Sequence, residues 1–195
     1  MEIDDHIRKA KKMDRLPYEK KRLSAKDIVL IGILSASITG GKMVLSAIPN
    51  VEIVTLLFMV YTAVFGLRRA LFVSVIFSTT EILLWGVHTW LMTYYIIWPL
   101  LILLTAALSR FLKGEFSRAI LAGAFGLTFG IYFALVEAML YGLNYGFVYY
   151  VRGIPFDIIH GASNFIVVLM LFKPLERMLG RLARNYTENN GNAAD

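Results

Sequence analysis

The chain has 195 residues, of which 57% are hydrophobic and 17% charged, with a mean hydropathy of +0.62. A soluble domain of this size has too little interior to hide that much apolar surface, and the absence of cysteine excludes a disulfide scaffold. The net charge of +6 would suit nucleic acid, but the bases gather before residue 27 and in short gaps between apolar runs, which excludes that partner and describes a multi-pass membrane protein.

Taken in chain order, residues 1–26 form a basic cytoplasmic tail able to lie on anionic lipid or stay solvated as a topology signal. A bilayer core needs about 20 apolar helical residues. On that scale six spans are predicted, at Asp27–Ala47, Val51–Gly66, Ala70–Val87, Leu91–Ser109, Arg118–Tyr141 and Ile158–Leu171. Breaks are expected at Pro49-Asn50, at Gly66 to Arg69, at Lys113 to Glu115 and at Gly153-Ile154-Pro155, where the chain restarts into the last helix. An aromatic-rich outer loop is expected from Tyr141 to Arg152, and Pro99 is expected to kink the fourth span. The predicted fold is all-α, one six-helix bundle over residues 27–182, with a mobile cytoplasmic tail at 183–195. A cleaved signal ending near Ala47 is the competing reading of the first span, disfavoured by Gly40-Gly41-Lys42 inside its apolar region.

Orientation follows from the bases. With six spans, 18 of the 20 lysines and arginines fall on one side, leaving Lys42 and Arg152 towards the other. The positive-inside rule then puts both termini in the cytoplasm.

Ionisable groups within a span are costly, so each is a candidate site residue. Glu52, Glu81, Glu137 and Asp157 all fall in the outer half, as do His88 and His160, and the inner half has nothing comparable. Polar steps through only one half fit an outward-facing cavity better than a channel. Glu81, Trp85 and His88 are spaced i, i+4, i+7 on the third span, and Asp157, His160, Gly161 and Asn164 are spaced i, i+3, i+4, i+7 on the sixth. Such faces are expected to look inward, with Tyr94 of the aromatic fourth span beside them. Glu52 and Asp157 read equally as acids at helix starts, Glu81 as an ion pair with Lys42, and Gly123, Gly126 and Gly130 as a close-packing stripe.

The stretch Ile48-Pro49-Asn50-Val51-Glu52-Ile53-Val54-Thr55-Leu56-Leu57 and the closing segment Gly153 to Phe165 (GIPFDIIHGASNF) resemble the substrate-binding S components of energy-coupling factor (ECF) importers. The resemblance covers residues 24 to about 180. It implies a binding protein, not an enzyme, in the plasma membrane of a prokaryote and without a cofactor. Such a protein captures a vitamin-like micronutrient outside and works with an ECF transmembrane coupling subunit and two ABC ATPases. It also implies docking through a small-residue face on the first span, here Gly32, Ala36 and Gly40, although the family more often has alanine at the first position. The chain has no phosphate-binding G-x-x-x-x-G-K-[ST] sequence of its own. The residues leave thiamine-like, pterin-like, deazapurine-like and corrinoid ligands open. The alternative is a small intramembrane enzyme using Glu52, Glu81, His88 and His160 as an acid–base or metal site, which no H-E-x-x-H or G-x-S-x-G sequence accompanies.

Overall fold

The computed structural model describes residues 23–48 and 51–191, with side chains as far as Arg184. The predicted Pro49-Asn50 break and residues 1–22 of the basic tail lie outside the described residues. Among the described residues seven helices follow one another: α1 (Ala25–Leu45), α2 (Val54–Phe65), α3 (Leu67–Trp85), α4 (Thr89–Ala107), α5 (Glu115–Leu127), α6 (Phe129–Tyr141) and α7 (Leu143–Gly191). Four stretches among the described residues are long and apolar enough to cross a membrane: α1, α4, α5 with α6, and α7 as far as Arg184. The surface agrees with that, since large apolar side chains such as Ile28, Val44, Leu83, Met139 and Phe147 stand exposed.

Local chemistry sets the ends of these helices. Ser24 caps α1 by accepting the Asp27 N–H at 3.1 Å, while the Asp27 carboxylate accepts the Ser24 N–H at 3.0 Å. Asp27 then ties α1 to α3 through Arg69 Nε at 2.9 Å. Gly66 separates α2 from α3, and Gly142 separates α6 from α7, each as a single-residue turn with φ of 84° and 94° and ψ near 160°. That region is open essentially to glycine alone, so these two residues fold the chain back within one peptide.

Pairings fix the direction of each pass. Asp27–Arg69 and Lys42–Glu81 run in the same order along α1 and α3, so those helices are parallel. Glu52–His160 and Thr55–Asn164 make α2 parallel to α7 in the same way. Ser37–Tyr61 with Gly41–Ile53, Thr89–Glu137 with Trp98–Phe125, and Gly123–Phe165 with Gly130–Asp157 run in opposite order, so α1 opposes α2, α4 opposes α5–α6, and α5–α6 opposes α7. Helix direction therefore alternates along the chain, and Asp27, Arg69, Arg118 and Glu176 share one end. α2 sits in the middle, buried without interruption from Val54 to Thr62. It is apolar on every face, and only an interior position removes all of that surface from water and lipid headgroups. Around it runs an aromatic column of Phe58, Phe77, Tyr94, Trp98, Phe125 and Phe129, with ring centroids 5.2–6.3 Å apart.

Four features differ from the predicted ones. α7 does not restart at Pro155 but runs unbroken from Leu143 through Pro155 and Pro174. The expected outer loop from Tyr141 to Arg152 is instead the second arm of a helical hairpin with α6. A proline inside a helix costs about 3 kcal/mol, which close packing of the two arms offsets: a Cβ on Gly146 would overlap Ala138 and the Ala134 carbonyl. The C-terminal tail expected from residue 183 continues this helix as far as Gly191. Finally, the fifth span is two helices stacked through Thr128, whose φ of −99° and ψ of 4° interrupt the α geometry without turning the chain aside into a loop.

Candidate functional site

The predicted polar face of the last span exists as one buried face of α7. Asp157, His160 and Asn164 are 7%, 6% and 1% exposed. The glycines of α5 bring them inward. A Cβ on Gly126 would lie 2.8 Å from the Gly161 Cα, and one on Gly123 would lie 3.4 Å from the Gly161 carbonyl, so the two backbones touch where the polar side chains begin. Gly130 then leaves room for the Asp157 carboxylate and donates its N–H to Oδ1 at 2.9 Å.

The first turn of α2 meets this face. Glu52 Oε2 accepts the Thr55 N–H at 2.9 Å, capping the helix, and its other oxygen, Oε1, lies 3.3 Å from His160 Nε2. The bond to His160 forms with the proton on Nε2. His160 also packs against Phe129, with centroids 4.4 Å apart. Asn164 donates from Nδ2 to Thr55 Oγ1 at 3.1 Å. Glu52 thus holds the start of α2 with one oxygen and reaches the polar face of α7 with the other.

On the other side, Glu81 is 1% exposed and forms an ion pair with Lys42 at the last turn of α1. The Lys42 ammonium also lies 5.3 Å from the Trp90 ring centroid and 5.2 Å from that of Tyr94. Glu137 accepts from Thr89 Oγ1 at 2.5 Å, joining α6 to the start of α4.

Two cavities meet at this end. One of about 340 Å³ lies under the α1–α2 connection and is bordered by Lys42, Glu52, Tyr94, Trp98, Asp157 and His160. The other, about 580 Å³, lies between the arms of the α6–α7 hairpin, bordered by Tyr145, Tyr149, Arg152 and Phe156. Phe129 and Asp157 line both. Here the hydrogen bonding is incomplete: Asp157 Oδ2, on a residue that lines both cavities, and Trp98 Nε1, on a residue that lines the smaller, are both buried and without a partner. One is an acceptor and the other a donor, on residues that border space large enough for a small molecule.

The structure therefore gathers Glu52, Tyr94, Asp157 and His160 at a cavity wall, with Asn164 directly beneath, and sets Glu81 behind Lys42. Glu137 is buried but borders neither cavity. Trp85 keeps its i+4 position from Glu81 as the last residue of α3 but is turned out of the interior, and His88 lies beyond the helix and does not share its face. α3 ends at Trp85, Gly86 turns the chain with φ of 85°, and Trp85 is 52% exposed. His88 is exposed and stacks on Trp90. The helical spacing fails there because the helix has already stopped. Among the described residues no three of His, Asp and Glu converge as a metal site. Of the four residues in the enzyme reading, Glu52 and His160 alone touch. Sequence reasoning missed Trp98, Phe129 and Gly130 as site residues. Trp98 carried a usable signal, one turn beyond Tyr94 on the same face; Gly130 did not, since its role is the space it leaves.

Gly32, Ala36 and Gly40 lie exposed along one face of α1, and a Cβ on either glycine meets nothing within 4 Å. Compared with protein-family models, with curated proteins and with solved structures, the chain matches none of them.

Proposed function

We propose that the chain is the substrate-binding S component of an ECF-type importer: a six-span protein of a prokaryotic plasma membrane, both termini cytoplasmic, that captures a vitamin-like micronutrient from outside. The observation that carries this reading is the pair of adjoining cavities at one end of the bundle, with an unpaired buried carboxylate oxygen on Asp157, which lines both, and an unpaired indole N–H on Trp98, which lines the smaller. Buried polar atoms are normally satisfied, and a ligand offering both a donor and an acceptor completes this pair. Aromatic walls from Tyr94, Trp98 and Phe129 favour a flat ring system.

The cavities lie at the end of the bundle away from Arg69, Arg118 and Arg177, which supports reading them as outward-facing under the positive-inside rule. The open Gly32–Ala36–Gly40 face supports docking on a transmembrane coupling subunit driven by two ABC ATPases. Binding, closure and release would need no bond chemistry from this chain.

Mass spectrometry of small molecules retained by the detergent-purified protein tests the reading. One species should recur between preparations near 1:1 stoichiometry and be lost from Asp157→Asn. Preparations that carry no specific small molecule, from cells grown in rich medium, would sink it.

A further inference from the structure

At the opposite end of the bundle a separate cavity of about 250 Å³ lies where α2, α4, α5 and α7 meet. Its one charged wall is Arg118, 14% exposed, with the guanidinium 4.3 Å from the Phe172 ring centroid. Nη2 reaches Glu176 Oε1 at 3.5 Å, the outer limit of a hydrogen bond, and the other oxygen of Glu176 accepts from Lys173 at 3.1 Å. Nη1 is buried and has no partner. A guanidinium N–H removed from solvent without an acceptor is strongly disfavoured, so the cavity is shaped around something that accepts.

The other polar atoms of the wall specify what else that occupant carries. Thr62 donates to the Phe58 carbonyl at 2.7 Å and Thr105 to the Leu101 carbonyl at 2.8 Å. Both hydroxyl protons are spent, which leaves these oxygens as acceptors, and Ser109 is a third hydroxyl residue of the wall. An occupant with an anionic oxygen for Arg118 and hydroxyl protons for Thr62 and Thr105 would complete the wall. The surrounding field selects the anion: near this end Lys26, Arg68, Arg69, Arg110, Lys113, Lys173 and Arg177 outnumber Asp27, Glu115 and Glu176.

We propose that this cavity is a binding site for a hydroxylated phosphate, the phosphate on Arg118 and its glycerol-type hydroxyls on Thr62 and Thr105. The group comes either from a phosphatidylglycerol headgroup of the adjacent leaflet or from a soluble glycerol phosphate. A site between apolar helices at the headgroup level suits the lipid source.

The test uses the full-length protein in mild detergent, with native mass spectrometry after addition of phosphatidylglycerol or phosphatidylcholine of matched chains. Wild type should retain phosphatidylglycerol at least about tenfold better. Arg118→Gln should abolish the preference. Ala63→Leu, which fills the cavity edge and leaves the guanidinium intact, should do the same even if the arginine variant folds poorly. Arg110→Gln, an exposed base, should keep it. A third arm adds glycerol 3-phosphate: a rise in wild-type melting temperature, absent in Ala63→Leu, assigns the soluble source, and lipid preference without that rise assigns the headgroup. No preference and no rise in wild type, or a preference that survives both Arg118→Gln and Ala63→Leu, overturns the proposal and leaves the cavity to water.

Discussion

Asp157 and Glu81 are both buried acids, yet their surroundings give them different work. Asp157 has one oxygen held by the Gly130 N–H and the other free at the cavity junction. Losing a charged hydrogen bond to ligand typically costs about 2–5 kcal/mol, so Asp157→Asn should weaken binding of the co-purifying molecule by roughly 30-fold or more. Calorimetry on the purified variant measures this, with Glu176→Gln at the far end expected to bind as wild type. Glu81 has its charge already answered by Lys42. Glu81→Gln leaves that ammonium unpaired beside the Tyr94 and Trp90 rings, and should destabilise the bundle by about 3–5 kcal/mol before it touches affinity. Replacing both partners, Lys42→Met with Glu81→Met, should recover most of the loss. Thermal unfolding of the two single variants and the double variant decides it; a double variant no more stable than Glu81→Gln would show that the pair is not the reason.

Among the elements, glycine has two opposite uses on helices of similar composition. Gly126 and Gly161 lie backbone to backbone, and a Cβ on Gly161 would come within 2.5 Å of the Leu127 side chain. Gly161→Val should therefore separate α5 from α7, lower stability by several kcal/mol and misplace His160 one residue away. Both a lower melting temperature and loss of ligand are expected. Gly32→Leu with Ala36→Leu alters a face with open space around it, so melting temperature and ligand affinity should stay near wild type. Uptake in cells carrying the coupling subunit and ATPases should fall to background if that face docks. Parallel loss of affinity would mean that α1 had simply been deformed.

For the whole molecule, the alternating passes place the α4–α5 connection at the basic end and the α6–α7 turn at the other. The chain has no cysteine, so single cysteines report position without interference. Asn144→Cys should react with a membrane-impermeant thiol reagent on intact cells. Ser109→Cys should react only once the membrane is opened. Equal labelling of both from outside would overturn the six-span orientation, and with it the outward position of the cavities.

Composition and hydropathy alone determined that the chain is a bundle of apolar helices, because burying or lipid-facing 57% hydrophobic residues leaves few other folds. Helical spacing alone also put Asp157, His160 and Asn164 on one face, since that period survives wherever the helix is continuous. What spacing could not reveal was where helices stop. α3 ended before His88 because Gly86 took a glycine-only conformation, and α7 continued through Pro155 because packing on α6 outweighed a local penalty. Nor could spacing divide the four carboxylates. Lys42 reaches Glu81, Thr89 reaches Glu137 and His160 reaches Glu52 across 39, 48 and 108 residues of chain. Only when those partners are brought together in space does Asp157 stand apart, with a buried oxygen that no side chain answers, and that remainder is a property of the tertiary structure.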